Sequence, residues 1–142
     1  MLQEGCRAPG FFGAYVTGST NWLPDDADLI PASDLDMMVV TSDRNQAGSR
    51  EKFVYNNTLL EVSYLRSDQL QSPDQVLSDY HLAPSFRTTK AMFDPFGYLT
   101  PLLAAVSRGY NTRKWVRRRC LEAQYSRSQT LLRPGHFPHL AE

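Results

Sequence analysis

The chain is organised around two short stretches of sequence: VTGS at residues 16–19 and SDLDMMVV at residues 33–40. In the second stretch Asp34 and Asp36 open a run that is otherwise apolar, and residues i and i+2 of a strand point to the same face of a sheet. Because neither acid is followed by a basic residue, their mutual repulsion would be costly unless a cation lies between them. Magnesium, which is usually shared with substrate phosphates, is the simplest such cation. The stretch therefore indicates phosphate chemistry.

Length and charge set the frame around this stretch. The 142 residues allow one domain with a single core, and the apolar content is ordinary for a soluble globular protein. The net charge is zero, but residues 1–80 hold 12 acids and 5 bases (−7) while residues 81–142 hold 3 acids and 10 bases (+7). This asymmetry fits a metal–nucleotide site, and it fits equally well two halves that dock electrostatically.

The cysteines and the apolar runs indicate the compartment. Cys6 and Cys120 are far apart and lack metal-ligand spacing, which is typical of a reduced intracellular protein. No apolar run approaches the roughly 20 residues that span a bilayer, and the first residues lack the pattern of a secretory signal. We therefore expect a cytoplasmic protein that does not enter the membrane.

Hydrophobic patterning predicts an α+β protein with a mixed β-sheet and helices packed on one face. Strands are expected at residues 11–17, 34–41 and 90–93, and residues 52–65 have the form of a hairpin that turns at Asn56-Asn57. Ser72-Pro73 predicts a helix that runs to Tyr80 or Ala83, with Gln75 completing the cap. His81 lies near the end of this predicted helix, where a structural role is expected for it. Thr100-Pro101 predicts the cap of a second helix, whose apolar stripe is Leu99, Leu102, Leu103, Val106 and Tyr110.

The remaining segments are interpreted as connections and surface. Asp25, Asp26 and Asp28 are assigned to a solvated loop, and residues 42–50 to a mobile one. In the basic segment 113–119, Val116 and Cys120, followed by Ala123, recur at helical spacing, which leaves the bases on a solvated face and disfavours a nucleic-acid surface. Residues 126–142 are expected to be poorly ordered.

Two further signals bear on the site. Gly18-Ser19 follows the first predicted strand, and there a glycine lets the backbone approach a ligand while the serine hydroxyl can hold a phosphate oxygen. An ordinary strand-end turn would have the same sequence. Glu61 is an isolated acid between Leu60 and Val62, and it is either an edge residue that faces water or a residue of a site.

Taken together, three motifs resemble the nucleotidyltransferase superfamily with the DNA polymerase β-like fold: Thr17-Gly18-Ser19, Asp34-Leu35-Asp36 and Leu60-Glu61-Val62. The resemblance covers about residues 11–97. The 14 residues between Ser19 and Asp34 are slightly more than is usual in that family, and an insertion at residues 21–31 explains the difference. Residues 94–97 (DPFG) and the helix after them look like the bacterial antibiotic nucleotidyltransferases of the aminoglycoside type and their relatives.

This resemblance implies a function and the residues that carry it. Gly18 and Ser19 would bind the nucleotide phosphates, and Asp34 and Asp36 would be catalytic residues that hold Mg²⁺. Glu61 would be a third catalytic residue, either as a further metal ligand or as the base that accepts the proton of an acceptor hydroxyl. The expected reaction moves a nucleoside monophosphate from a nucleoside triphosphate, such as ATP, to a hydroxyl of a small molecule, an antibiotic being one candidate.

The resemblance also leaves alternatives open. Residues 1–97 would be the nucleotidyltransferase core and residues 98–125 an abbreviated helical segment, before the tail 126–142. Because the family usually continues into a helical region that shapes the acceptor pocket, the chain is alternatively a non-catalytic nucleotide-binding or partner-binding module. Pairing as a homodimer would supply missing pocket walls. An RNA-tailing enzyme would use the basic segment, but the even overall charge argues against strong binding of nucleic acid.

Overall fold

A computed structural model describes residues 9–24, 26–28, 33–87 and 91–131, with only the backbone for residues 128–131. Five strands form one sheet: β1 (Phe11–Thr17), β2 (Asp34–Thr41), β3 (Arg50–Tyr55), β4 (Thr58–Arg66) and β5 (Ala91–Phe93). Three α-helices follow the hairpin: α1 (Pro73–Ser78), α2 (Leu99–Gly109) and α3 (Arg113–Leu131). Short 3₁₀ turns cover Ser19–Trp22, Ser67–Leu70 and Ala83–Arg87. The chain divides into two compact units, residues 1–110 and residues 111–142.

The sheet is mixed, with the strand order β3-β4-β2-β1-β5. The central pair β2–β4 is parallel, and the other three neighbouring pairs are antiparallel. The predicted hairpin is confirmed: Asn56 and Asn57 have φ of 48° and 60°, which a two-residue turn of this kind requires. This turn pairs Tyr55 with Thr58 and thereby fixes the register of the whole hairpin. The α+β class with a mixed sheet is confirmed.

The helices of the first unit bury one face of the sheet. Tyr15 of β1 and Val40 of β2 belong to an apolar cluster with side chains of α1, α2 and the 3₁₀ turns, namely Leu70, Val76, Phe86, Leu99, Leu102, Leu103 and Val106. The Tyr15 hydroxyl lies 3.0 Å from Ser85 Oγ, so this buried phenol keeps a hydrogen-bond partner. Because side chains alternate along a strand, the face of Val40 also carries Asp34 and Asp36. The core and the two acids therefore share one side of β2.

Helix α1 begins where the sequence predicts and ends earlier. Ser72 Oγ accepts the backbone N–H of Gln75 at 3.2 Å, which confirms the cap. The helix ends at Ser78 because Asp79 is extended and its Oδ1 accepts the backbone N–H groups of His81 and Leu82. The predicted extension to Tyr80 or Ala83 is therefore wrong. His81 lies in a turn beyond the helix, so the structural role expected for it at the helix end does not apply.

Helix α2 takes its cap from another residue than the one predicted. It begins at Leu99, and the Asp94 carboxylate accepts the backbone N–H groups of Leu99 (3.1 Å) and Thr100 (2.8 Å). Partial burial alone would raise the pKa of Asp94, but these hydrogen bonds outweigh it and hold that pKa below its ordinary value. The predicted Thr100-Pro101 cap is wrong, whereas the apolar stripe from Leu99 to Val106 is buried as predicted. Tyr110 lies just beyond the helix.

The connections also differ from the expectation. Residues 42–49 are tied to β4 by backbone hydrogen bonds from Gly48 to Tyr64 (2.9 Å) and from Tyr64 to Ser49 (3.1 Å), and Arg50 belongs to β3 instead of the loop. Asp26 and Asp28 are exposed, as expected of a solvated loop. Cys6, Asp25, Lys90 and the segment 132–142 lie outside the described residues.

The second unit contains α3, which continues to Leu131, six residues beyond the predicted helical segment. The helical spacing of Val116, Cys120 and Ala123 does not mark a buried apolar face, because all three residues are exposed. The segment carries basic residues on most sides of the helix and therefore lacks one wide apolar face. Two of these bases are paired within the helix, Arg118 and Arg119 both with Glu122. None of the described helices combines the length and apolarity of a membrane span.

Candidate metal and nucleotide site

Strands β2 and β4 bring the three predicted acids together. The parallel register places Asp36 beside Glu61, and Asp34 lies two residues before Asp36 on the same face. Asp34, Asp36 and Glu61 each offer one carboxylate oxygen, and these oxygens all lie within 4.8 Å of one another. The side chain of Asp34 is 43% exposed and that of Glu61 is 13% exposed. A cation can therefore reach the group from solvent.

The electrostatics of the acids favour a cation at this place. The pKa of Asp36 is raised, first by partial burial and then by the neighbouring charges of Asp34 and Glu61. Each added negative charge makes ionisation of the next carboxyl less favourable, and a divalent ion relieves this repulsion. Three carboxylate oxygens also form the hard donor set that Mg²⁺ prefers. The residues present fit such an ion.

Two basic residues of β3 that the sequence motifs do not include contact the same acids. Lys52 Nζ is ion-paired with Glu61 and lies 3.8 Å from Asp34 Oδ2. Arg50 Nη1 lies 3.1 Å from Glu61 Oε1. Both bases lower the pKa of Asp36 and offset part of the effect of the acids. The acids are therefore partly neutralised within the protein, although no base follows them in sequence.

The hairpin register explains this contact and was the signal for it. A two-residue turn at Asn56-Asn57 pairs position 55 with 58, and counting back along both strands pairs Lys52 with Glu61. Glu61 accordingly does not project into water from an edge strand. Its strand β4 lies between β2 and β3, and its carboxylate faces Asp36 on one side and the two bases on the other.

The Gly18 turn lies directly against the acids. Thr17 pairs with Asp36 across β1 and β2, and Gly18 follows with φ of 82°, a conformation that favours glycine. A Cβ at this position would overlap the Asp36 carboxylate. Ser19 is exposed and begins the 3₁₀ turn that follows. The backbone of this turn therefore lies close to a candidate metal ligand, Asp36.

A cleft of about 490 Å³ adjoins the acids within the first unit. Asp36, Glu61 and Arg50 line one part of it, and the segment after α1 contributes His81, Leu82 and Ser85. No pattern in the sequence predicts the cleft or the place of His81 in its wall. A space of this size fits a small molecule, and its walls combine hydroxyl, carboxylate and basic groups.

Comparisons with known proteins agree with this fold. No protein-family model matches the sequence, and a search of curated proteins finds no match. Among solved structures, the chain is similar to a nucleotidyltransferase-like protein from Exiguobacterium sibiricum 255-15, with a TM-score of 0.53 and 14% identity. The match covers 75% of this chain and 36% of the other, so this chain corresponds to about a third of that protein. The chain therefore has a nucleotidyltransferase-like fold, which is the class that the three motifs predicted.

Proposed function

We propose that the protein is a metal-dependent nucleotidyltransferase that moves a nucleoside monophosphate from a nucleoside triphosphate to a hydroxyl group of a small molecule. The observation that carries this proposal is the group of three carboxylates with the Gly18 turn lying against Asp36. A metal site alone would fit many activities. A glycine turn beside the metal ligands, on a nucleotidyltransferase-like fold, supports the binding of phosphates at that site.

Each residue has a role in this reaction. Asp34 and Asp36 would hold Mg²⁺, which when bound supplies positive charge to the phosphate oxygens. The backbone at Gly18 and the hydroxyl of Ser19 would bind the phosphates of ATP or another triphosphate. The acceptor oxygen attacks the α-phosphorus, a new phosphorus–oxygen bond forms, and the bond to the β-phosphate breaks with release of pyrophosphate. Glu61 would take the hydroxyl proton or complete the metal site.

The acceptor would bind in the cleft next to Asp36 and Glu61. The hydroxyl, carboxylate and basic groups in its wall suit a hydroxylated molecule, and its position next to Glu61 supports the binding of an acceptor hydroxyl there. An antibiotic of the aminoglycoside type is one such molecule. A proton acceptor must lie within hydrogen-bond reach of the hydroxyl that it deprotonates. Glu61, like Asp36, belongs both to the acidic group and to the wall of the cleft, so it is a candidate for this role.

The test is a thermal-shift screen of nucleoside triphosphates with and without Mg²⁺. A ligand that binds only the folded state stabilises it by about 2.7 kcal/mol at a hundredfold excess over its Kd. We expect this stabilisation to require Mg²⁺, and Asp34→Asn and Asp36→Asn to abolish it while the proteins stay folded. Asp28→Asn, an exposed acid outside the group, is the matched control. Stabilisation that survives in both site variants would refute the metal assignment.

Pyrophosphate release separates the enzyme from a binding module. If Glu61 acts as the base, Glu61→Gln keeps nucleotide binding and loses transfer, whereas loss of both identifies a metal ligand. A wild-type protein that binds Mg²⁺ and nucleotide but releases no pyrophosphate with any hydroxylated acceptor would be a non-catalytic nucleotide-binding module of the same fold. Unchanged binding and transfer in Glu61→Gln would remove Glu61 from the site.

A further inference from the structure

The contacts of β3 bear on how the proposed metal site is filled. Lys52 reaches two of the three acids, because it is ion-paired with Glu61 and its Nζ lies 3.8 Å from Asp34 Oδ2. Arg50 contacts the other oxygen of Glu61 at 3.1 Å. Both oxygens of Glu61 are thus engaged by cations of the protein itself, one by each base.

A metal ion bound by Glu61 would use an oxygen that Lys52 or Arg50 already contacts. An ammonium bound to a carboxylate competes with a metal for the lone pairs, and two cations this close repel each other. The competition can be relieved, because the side chain of Lys52 is 53% exposed on a long flexible stem and that of Arg50 is 68% exposed. Both side chains can leave the acids by rotation, without a movement of β3.

We propose that Lys52 is a counter-cation that occupies the acids and weakens metal binding until nucleotide arrives, so that metal and nucleoside triphosphate bind together rather than in sequence. This inference rests on the proposed function and adds the order of binding to it. In the free protein the Lys52 ammonium neutralises Asp34 and Glu61. When the triphosphate arrives with its metal ion, the ammonium transfers from the carboxylates to phosphate oxygens, which are the nearest new anions. The site then exchanges one cation for another and is never left with three unpaired acids.

Arg50 has a supporting role in the same exchange. It contacts a single acid, Glu61, whereas Lys52 contacts Glu61 and Asp34. Removing Arg50 should therefore change metal binding in the same direction as removing Lys52, but less. This ranking follows from the contacts and would not follow from a general loss of positive charge on β3.

The experiment is a titration of the free protein with MnCl₂, followed by electron paramagnetic resonance of unbound Mn²⁺. We expect Lys52→Gln to bind Mn²⁺ about fivefold more tightly than wild type, which corresponds to about 1 kcal/mol, and Arg50→Gln to show a smaller gain. Lys52→Arg keeps the charge and should restore weak binding. Arg108→Gln, which removes an exposed charge in the last turn of α2, is the control and should leave binding unchanged.

The same titration with a non-hydrolysable triphosphate analogue gives the opposite expectation. If Lys52 transfers to the phosphates, Lys52→Gln should weaken the binding of the analogue by about fivefold at Mn²⁺ concentrations that saturate the acids of both proteins, so that one substitution strengthens one ligand and weakens the other. Equal or weaker binding of Mn²⁺ alone by Lys52→Gln would overturn the inference, as would unchanged binding of the analogue.

The titration also separates this inference from the proposed function. Asp36→Asn should remove Mn²⁺ binding from the Lys52→Gln protein. If Asp36→Asn has no effect there, the acids are not the metal site and the proposed function fails at its first step. If Asp36→Asn removes binding but Lys52→Gln does not strengthen it, the metal site stands and only the counter-cation role of Lys52 is wrong.

Discussion

The two ends of β2 have opposite physical character although one strand carries both. At its C-terminal end Val40 is fully buried, and it packs in the cluster of α1 and α2. At its N-terminal end Asp34 is partly exposed, and Asp34 and Asp36 point to the same face as Val40. We call these the core end and the acid end of β2. The core end gains stability by excluding water, whereas the acid end keeps charged groups near each other in contact with solvent.

This difference shows how a small domain can separate stability from chemistry. Apolar packing at the core end favours one register of β2 against β4, and this register holds the carboxylates of the two strands together at the acid end. The repulsion among the acids is an energetic cost that the core offsets. Substitutions at the two ends should therefore change the stability of the metal-free protein with opposite sign.

The largest effect is expected at the core end. Leu103→Ala removes a fully buried side chain of α2 that packs in the cluster with Val40, and such truncations typically cost about 2–5 kcal/mol. The measurement is the free energy of unfolding from urea titration. Leu121→Ala is the matched control, because Leu121 is 57% exposed in α3 and should change stability by less than about 0.5 kcal/mol. Equal losses in both variants would contradict the assigned core.

A smaller effect is expected where the turn meets the acid end. Gly18→Ala should cost about 2 kcal/mol, because alanine is strained at positive φ and its Cβ would displace the Asp36 carboxylate. Gly48→Ala is the control for positive φ, since Gly48 also has φ of 82° and nothing lies within 4 Å of the added Cβ. The control measures the cost of a side chain at positive φ where no other atom is close. A loss of metal binding confined to Gly18→Ala measures the close approach to Asp36.

If both glycine variants lose the same stability and keep the same metal affinity, Gly18 is an ordinary turn glycine. That result would also weaken the proposed function, because the approach of Gly18 to Asp36 is part of the observation on which it rests.

The sequence predicted the residues of the acid end but missed how they are neutralised. Alternation along β2 and β4 places Asp34, Asp36 and Glu61 correctly on their faces, because a strand has a period of two whatever surrounds it. The predicted hairpin already implied that Lys52 lies opposite Glu61. Neighbours along the chain give no sign of this pairing, because in a sheet the nearest charges come from the adjacent strand.

The helices show where local signals stop being informative. The Ser72 cap was predicted because a cap depends on residues a few positions apart. The cap of α2 comes from Asp94, five residues before Leu99, across a turn that local patterns do not define. In α3 the spacing of Val116 and Cys120 resembled a buried stripe, but both residues are exposed among basic residues. Spacing alone does not determine burial, which depends on what packs against the helix.

The smallest effect is expected from charge removal at the acid end, and its sign is opposite to that of the core. In metal-free protein at pH 7, Asp36→Asn should increase the free energy of unfolding by less than about 1 kcal/mol, because the removed charge was unfavourably placed but screened by solvent. Asp28→Asn, in the exposed loop, is the control and should change little.

The pH dependence of this gain follows from the raised pKa of Asp36. Between the folded-state pKa of Asp36 and its ordinary value of 3.8, the folded protein binds this proton more readily than the unfolded chain does. The contribution of Asp36 to wild-type stability therefore improves as pH falls through that window, and below it the carboxyl is neutral in both states. The advantage of Asp36→Asn should shrink accordingly and vanish under acidic conditions. Melting curves of both proteins in EDTA between pH 7 and pH 3 provide the measurement. A variant that is less stable than wild type at pH 7 would mean that Lys52 and Arg50 already stabilise the ionised Asp36, and that the acid end carries no excess charge for a metal to relieve.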